Sequence, residues 1–310
     1  MRRSRTAVLA ALTAVLGGVL AVGASPGAAS GGSGVATHRA ATTEAEQDRV
    51  ATYWTAGRMR TAQPADRPTA ANTTSTTSTT STTVHRGQAT TVTARRPGGA
   101  PVPAASVVNT TGKVFFTLGG VNYVCSGAAT ASTNKDVVTT AGHCVNEGPG
   151  AYATNWAFVP AYNNGARPYG TWTARTLVTT TAWASQGDIN YDGGFAVMNT
   201  LNGQHLTDVV GGQGVAFNQP RGLFYDAYGY PAAGKFNGET LKSCSGTAQD
   251  DIYGGTQSQS IACNMTGGSS GGPWLTGGST INSVNSFGYR GVKNRMFGPY
   301  FGSAIQSAYT

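Results

Sequence analysis

The sequence predicts an all-β protein whose folded part suits two small barrels. From residue 113 onward, short runs rich in Val, Tyr, Phe, Thr and Trp alternate with Gly, Asn and Pro. This pattern indicates many short strands joined by turns, and no stretch has helical periodicity over the length of a helix. The region is roughly 200 residues long, which is large for one sandwich and suits two barrels side by side.

The predicted strands follow one another at short intervals through this region. They are Lys113–Leu118, Val121–Cys125, Asp136–Thr139, Asn155–Ala161, Tyr169–Val178, Phe195–Met198, Phe224–Tyr230, Ser258–Ala262 and Ile281–Tyr289. Charged residues make up only 11% of the chain, and 44 of the 310 residues are Gly. Usual globular proteins have about 25% charged residues and about 7% Gly, so this composition argues against coiled coils and helical bundles.

The net charge of +8 by itself suggests an anionic partner. The positions of the charged residues along the chain argue against one. Residues 1–100 contain 11 Arg and no Lys against four acidic residues, whereas residues 101–310 contain 10 basic and 9 acidic residues. The part predicted to fold is therefore almost neutral, and we expect no nucleic-acid partner.

The first 30 residues have the composition of a secretory signal peptide. Arg2, Arg3 and Arg5 precede an apolar run from Ala7 to Val22, and small residues follow to Ser30. The run is shorter than the roughly 20 residues that a membrane-spanning helix needs. We expect a secreted, extracellular protein whose mature form does not contact a membrane.

Residues 31–105 are not predicted to form a packed domain. The stretch Asn72–Thr83 is almost purely Thr and Ser, which buries too little apolar surface to offset chain entropy. We interpret 31–105 as a pro-segment and linker of a zymogen, with a small structured element at Tyr53-Trp54-Thr55 and Arg58-Met59-Arg60. The N-terminal barrel is then expected over 106–205 and the C-terminal barrel over 206–310.

Four cysteines lie in the predicted mature region: Cys125, Cys144, Cys244 and Cys263. In an exported protein an even number of cysteines indicates disulfides, and three pairings are possible. A zinc site is the competing interpretation. It is weak because no two cysteines have metal-ligand spacing, and only His143 lies beside one of them.

Three sequence motifs contain candidate catalytic residues, which occur along the chain in the order His, Asp, Ser. His143 follows a β-rich stretch in a turn of small residues, and Asp192 precedes an apolar strand, with Asp188 as its competitor. Ser270 lies in the glycine-dense stretch Gly267–Pro273, where substrate could approach the backbone N–H groups. A serine nucleophile requires a neighbouring base and such donors.

The order of these residues along the chain distinguishes between the known types of serine-hydrolase active site. Gly268-x-Ser270-x-Gly272 also fits the nucleophile elbow of α/β-hydrolases, but residues 271–310 contain no Asp, Glu or His to complete that design. Asp136 could begin a subtilisin-like order, although the alternating helices and parallel strands of that fold are not predicted. The order His, Asp, Ser is the remaining design.

Residues from about 113 to 305 resemble the chymotrypsin-fold serine proteases, particularly secreted bacterial enzymes related to the glutamyl endopeptidases. The matching motifs are Cys125-Ser126-Gly127, Thr140-Ala141-Gly142-His143-Cys144 and Gly268-Ser269-Ser270-Gly271-Gly272-Pro273. The resemblance implies two six-stranded antiparallel β-barrels with the active site between them. It also implies the disulfides Cys125–Cys144 and Cys244–Cys263.

The resemblance further implies that Ser270 is the nucleophile and His143 the general base. Asp192 would orient His143, and the N–H groups of Gly268 and Ser270 would form the oxyanion hole. His205, in a turn-like context, is disfavoured as the base. Neither a cofactor nor a metal is expected.

The same resemblance places the specificity pocket at Asn264 and at Ser286, Phe287 and Gly288. Because Asn264 stands where an acid would select Arg or Lys, and no His lies on the second strand, we expect an uncharged pocket for a neutral side chain. Ser269 replaces the Asp that receives the new N-terminal ammonium in animal enzymes. Removal of a pro-segment must therefore act differently here, or matter less.

The predicted function is that of a monomeric secreted serine endopeptidase, which cleaves protein or peptide substrates through an acyl-enzyme. An esterase that uses the same residues is a related possibility. The alternative from another class is a catalytically inactive binding or adhesion protein with a protease fold. A missing triad residue would favour that alternative, and all three are present.

Overall fold

The computed structural model describes residues 34–66, 86–102 and 105–310, together with the backbone of 68–69. The predicted signal peptide at 1–30 and the Thr/Ser-rich stretch 72–83 lie outside these residues. Among the helices that are described, none is long and apolar enough to cross a membrane.

The first barrel is a closed antiparallel sheet formed by residues between 111 and 198. Its strands are β5 (Thr111–Leu118), β6 (Val121–Thr130), β7 (Val137–Thr140), β8 (Thr154–Pro160), β9 (Trp172–Thr180) and β10 (Gly194–Met198). The order is β9-β10-β7-β6-β5-β8, and pairing of β8 with β9 closes the barrel. Alternate positions such as Val114, Phe116 and Phe158 fill its core.

The second half contains two sheets packed against each other. Its strands are β11 (Gly214–Phe217), β12 (Phe224–Gly229), β13 (Lys242–Thr247), β14 (Gln249–Asp250), β15 (Gln259–Ala262), β16 (Pro273–Thr276), β17 (Thr280–Val284), β18 (Gly288–Tyr289) and β19 (Arg295–Gly298). The order β13-β12-β16-β17-β11 forms one sheet and β14-β15-β19 the other, while β18 pairs separately with residues 68–69. Tyr225, Ile261, Trp274 and Met296 share a buried cluster between them. The predicted all-β, two-barrel fold is confirmed.

The described part of the N-terminal segment packs on both halves and has no hydrophobic core of its own. It contains β1 (Val35–Arg39), α1 (Glu44–Tyr53), α2 (Ala56–Thr61), β2 (Gln63–Pro64), β3 (Pro68–Thr69) and β4 (Thr90–Val92). Strand β1 pairs with β9, and β4 pairs with β11. This segment adds strands beside existing ones, such as β1 along the stretch of β9 that β8 leaves unpaired.

The small element predicted around residues 53–60 is confirmed as the helix pair α1 and α2. Thr43 caps α1 in a capping box with Glu46, and the Thr55 hydroxyl caps α2. Trp54, between the two helices, is 1% exposed and packs against Phe115 of the first barrel. The hydrophobic residues of this short motif are therefore explained by docking on the barrel.

Four further short helices connect or follow the strands. They are α3 (Val107–Thr110), α4 (Thr181–Gln186), α5 (Leu206–Val210) and α6 (Ser303–Tyr309), and 3₁₀ turns occur at Gly142–Cys144 and Ile189–Tyr191. The two 3₁₀ turns carry or adjoin predicted site residues.

Candidate active site

The predicted His143 and Asp192 lie together because two neighbouring strands bring them there. His143 is in the 3₁₀ turn that follows β7, and Asp192 directly follows the 3₁₀ turn that leads into β10. These strands pair antiparallel with Thr140 opposite Gly194. The end of β7 and the start of β10 are thus adjacent, and a Cβ on Gly194 would lie 2.6 Å from the carbonyl oxygen of Ala141.

Asp192 holds both the ring and the backbone of His143. Its Oδ2 lies 2.8 Å from His143 Nδ1, and its Oδ1 accepts the His143 backbone N–H at 2.8 Å. Ser286 donates a further hydrogen bond to Oδ2 at 2.5 Å. Asp192 is fully buried and His143 is 3% exposed. A carboxylate with three donors in a buried site can orient an imidazole and stabilise its protonated form.

The loop that carries Ser270 requires glycine at two positions. Gly268 has φ +92°, and Gly271 has φ +79°, in the region that favours glycine. A Cβ on Gly271 would lie 2.1 Å from the Thr140 hydroxyl, so this loop contacts the first barrel directly. The backbone N–H of Ser126 also donates to the Ser270 carbonyl at 2.7 Å. Together these contacts bring the loop to the end of β7, beside His143.

In this structure the Ser270 hydroxyl is bonded to the N-terminal segment. Ser270 Oγ donates to the carbonyl oxygen of Ala65 at 3.0 Å. His143 Nε2, the nitrogen that would take the proton of a serine, is buried and has no hydrogen-bond partner among the described residues. The arrangement therefore contains the three predicted side chains, but with the serine proton directed away from the histidine.

Two backbone donors remain free beside Ser270. The N–H groups of Gly268 and Ser270, predicted as an oxyanion hole, donate no hydrogen bond within the described ranges. The Gly268 carbonyl is held by the Ser126 hydroxyl at 2.9 Å. Free N–H groups at this position are what stabilisation of a developing oxyanion requires.

The residues that were considered as alternatives to Asp192 and His143 have other hydrogen-bond partners. Asp188 accepts hydrogen bonds from the backbone and side-chain amides of Asn190, so it caps a 3₁₀ turn. His205 Nδ1 lies 2.9 Å from Asp136 Oδ2, and Asp136 also forms an ion pair with Arg175. Asp188 and Asp136 are thus each bound in separate local networks, whereas Asp192 contacts His143.

The four cysteines form the disulfides Cys125–Cys144 and Cys244–Cys263, the pairs implied by the family resemblance. In the described part of the chain, one group of His, Cys, Asp or Glu ligand atoms lies close enough to share a metal ion: Cys125, His143 and Cys144. Both sulfur atoms are used in the disulfide and are not thiolates, so the donor set does not suit zinc.

A cavity of about 220 Å³ opens beside Ser270. Of the predicted pocket residues, Ser286, Phe287 and Gly288 line it. Asn264 is exposed and does not line it, and the neighbouring Met265 does. The assignment of Asn264 to the specificity pocket is thus not supported by this cavity and stays a prediction.

Charged residues also line this cavity, and the expected uncharged specificity pocket stays a prediction. Arg290 and Arg295 line the cavity, as does Asp66 of the N-terminal segment. Arg295 donates to Ser260 Oγ and Gln249 Oε1 rather than to a carboxylate. These arginines lie 20 or more residues beyond Ser270 in the sequence, and no local motif placed them at the site.

Tyr289, which also lines the cavity, is fixed by a polar network. Its hydroxyl donates to Asp251 Oδ2 at 2.5 Å, and Thr256 donates to the same oxygen at 2.7 Å. Burial raises the pKa of Tyr289. Burial also opposes ionisation of Asp251, but hydrogen bonds from Tyr289 and Thr256 outweigh it and lower the pKa of Asp251. The wall of the cavity is therefore rigidly held.

Sequence reasoning missed two contributors to this site, Ser126 and Ala65. Ser126 lies within a motif that was recognised, but its three hydrogen bonds to the second half are visible only in three dimensions. Nothing local distinguishes Ala65, because its position depends on pairing between distant segments.

The chain is similar to several solved protease structures. It is 61% identical to the protease Anisep from Arthrobacter nicotinovorans, and the match covers 66% of this chain and 96% of that one with a TM-score of 0.64. A thermostable serine protease, AL20, from an extremophilic microorganism is 49% identical, with coverage of 65% and 95% and a TM-score of 0.63. A Glu endopeptidase, 19% identical, shares the fold, with coverage of 71% and 95% and a TM-score of 0.51.

Among curated proteins, the chain is 29% identical over 168 residues to a Bacillus subtilis (strain 168) protein named extracellular metalloprotease. The matched region spans 48% of this chain and 52% of that protein, so the chain spans about half the length of this relative. No protein-family model matches the chain.

Proposed function

Because this chain belongs to the chymotrypsin-fold serine protease family, we propose that it is a secreted serine endopeptidase that acts through an acyl-enzyme. The observation that carries the proposal is the buried pair of hydrogen bonds between His143 and Asp192, next to a serine in a glycine loop with two N–H groups that have no acceptor among the described residues. This combination supplies a base, its orienting group, a nucleophile and oxyanion donors in one place.

The proposed acylation step begins once the N-terminal segment has left the site. Ser270 Oγ attacks the carbonyl carbon of the scissile peptide while His143 Nε2 takes its proton. The negative charge that forms on the carbonyl oxygen is stabilised by the N–H groups of Gly268 and Ser270. Asp192, which does not itself take the proton, stabilises the imidazolium form of His143.

The intermediate then collapses, and His143 donates the proton to the leaving amine. The carbonyl carbon remains bonded to Ser270 Oγ as an ester. A water molecule, deprotonated by His143, attacks this ester, and the second intermediate releases the carboxylic acid and restores the serine hydroxyl. In this scheme the side chain on the acyl side of the cleaved bond occupies the cavity lined by Ser286, Phe287 and Gly288.

The proposed precursor has a signal peptide at 1–30, a pro-segment and linker at 31–105, and barrels at 106–205 and 206–310. Export is supported by the composition of the first 30 residues and by the two disulfides. We propose that the mature enzyme is an extracellular monomer that acts on proteins or peptides.

The test is hydrolysis of a denatured protein such as casein, followed by identification of the cleaved bonds. Processed wild-type protein should release peptides, and Ser270→Ala, exported and processed with an added protease, should not. Activity retained by Ser270→Ala would contradict the proposal. A processed, folded wild-type protein that releases no peptides would favour the inactive binding protein instead.

A further inference from the structure

Residues 63–66 and 68–69, here called the strap, run across the candidate active site in one direction. Strand β2 of the strap pairs parallel with β6, with Gln63 opposite Tyr123. After passing Ser270, the strap pairs parallel with β18, with Pro68 opposite Gly288. The strap therefore enters beside β6 and leaves along the strand that forms the wall of the pocket.

This direction is opposite to the one that cleavage requires. In a substrate, the residue on the acyl side of the scissile bond, which is the N-terminal side, occupies the pocket beside Gly288. In the strap, the residues that follow Ala65 lie on that side, and those that precede it lie beside β6. If Ser270 attacked the strap, the leaving amine would lie in the pocket and the acyl part outside it.

The contacts of Ala65 also prevent reaction. The Ala65 carbonyl presents its oxygen to Ser270 Oγ and accepts the serine proton in a 3.0 Å hydrogen bond. That proton is then not directed to His143 Nε2, which has no partner in the described ranges. The Ala65 N–H donates to the Val124 carbonyl at 3.0 Å, which holds this residue in place.

We propose that the strap is an inhibitor built into the precursor: it occupies the cleft in reverse, binds the nucleophile through Ala65, and is not cleaved there. This inference rests on the proposed function, since it assigns a mode of regulation to the same site. It also explains how a pro-segment can keep the enzyme inactive although Ser269 replaces the Asp that receives the new N-terminal ammonium in animal enzymes. The Ser269 hydroxyl donates to the Thr266 carbonyl at 2.7 Å, within its own loop.

The strap is held by anchors outside the cleft. On its N-terminal side, Trp54 Nε1 donates to the Asn155 carbonyl and the Tyr53 hydroxyl to Asn122 Oδ1. Trp54 and Met59 are buried against the first barrel, and burial of each side chain contributes on the order of 2 kcal/mol. Because these anchors lie outside the cleft, we expect the strap to stay bound until the chain is cut elsewhere.

The test uses the full chain, exported and exposed briefly to a fluorophosphonate probe that labels reactive serines. Uncut and processed chains are separated by electrophoresis. Two variants are compared, Ala65→Glu and the matched control Ala51→Glu. Ala65 is 8% exposed and lines a cavity with Glu147, so a carboxylate there is crowded and repelled, whereas Ala51 is exposed on α1.

We expect uncut wild-type chain to be labelled about tenfold or more slowly than processed chain, because the competent state is a small fraction. Uncut Ala65→Glu should be labelled at close to the processed rate, and Ala51→Glu should behave like wild type. Equal labelling of uncut and processed wild-type chains would overturn the inhibitory role and leave the proposed function intact. If processed chain is not labelled either, the proposed function itself fails.

Peptide mapping of the wild-type chain tests the direction of the strap without relying on the folding of a variant. A strap bound in reverse is not cut by the active site of its own molecule. We therefore expect no cut between residues 63 and 69 whose rate is independent of protein concentration. A concentration-independent cut in this range, present in wild type and absent in Ser270→Ala, would show that the strap is bound as a substrate, and would overturn the proposal.

Discussion

The Ser126 hydroxyl of the first barrel donates a 2.9 Å hydrogen bond to the carbonyl of Gly268, in the loop that carries the proposed nucleophile. The same hydroxyl oxygen accepts the backbone N–H of Tyr230 at 2.8 Å. One buried serine therefore connects strand β6 to two segments of the second half. This contact fixes where the proposed oxyanion hole lies relative to His143.

We expect Ser126→Ala to lower kcat by about tenfold with a much smaller change in KM, because the Gly268 peptide loses its support while the pocket is unchanged. The Tyr230 N–H also loses its acceptor, which should cost about 1–3 kcal/mol of folding stability. Steady-state kinetics and urea denaturation of the processed enzyme measure the two effects. A loss confined to stability would show that Ser126 has a structural role alone.

Asp192→Asn should reduce kcat/KM by about 10⁴-fold, because the amide no longer stabilises the imidazolium and favours the wrong tautomer of His143. Asp188→Asn is the matched control, since Asp188 caps a turn four residues away. It should keep activity within a few-fold of wild type. A large loss in Asp188→Asn with little loss in Asp192→Asn would reverse the assignment of the orienting carboxylate.

The two disulfides allow a comparison at equal loop length, because both join residues separated by 19 positions. In the loop-entropy description, removal of either one costs a similar stability, about 3 kcal/mol. Only Cys144 adjoins His143, so Cys125→Ala/Cys144→Ala should also lower kcat. Cys244→Ala/Cys263→Ala should lower the unfolding temperature with little change in kcat below it. Equal effects on kcat would contradict a local role for the first disulfide.

Lys113 gives a pH dependence of stability whose sign can be derived. It is 2% exposed, and burial lowers its pKa from 10.5 to about 8, although Glu239 at 3.6 Å acts in the opposite direction. Between these two pKa values the unfolded chain binds more protons than the folded chain, so the Lys113 contribution to stability increases as pH rises.

The check is urea denaturation in a Ser270→Ala background at about pH 7.5 and about pH 9.5, below the range in which tyrosines ionise. The free energy of unfolding should rise more between these values with Lys113 present than with Lys113→Met. An identical pH dependence in both proteins would contradict the effect of burial on Lys113.

The sequence was sufficient to predict those strands and site residues that depend on local patterns. Strands such as β5, β6 and β10 alternate or run apolar, and the His143 and Ser270 motifs are contiguous. Strand β13 was missed because it is polar and largely exposed. Strands β11 and β19 were also missed, although β7 and β15 of the same four-residue length were predicted. Short strands are stabilised by their neighbours rather than by their own composition.

The N-terminal segment was the least predictable part for the same reason. The position of Ala65 at Ser270 depends on two-residue strands paired with residues 123–124 and 288–289. Likewise, Arg290 and Arg295 reach the pocket through the path of β18 and β19, and no local spacing indicates this. Long-range pairing of short segments can hardly be predicted from the local sequence.

Mass-spectrometric mapping of a fluorophosphonate adduct on processed protein tests whether Ser270 is an activated nucleophile. One phosphonyl group should be found, on the peptide that contains Gly268 to Pro273, and fragmentation should place it on Ser270. His143→Ala should abolish it. An adduct on another residue, or none on folded and processed protein, would show that Ser270 is not the activated nucleophile.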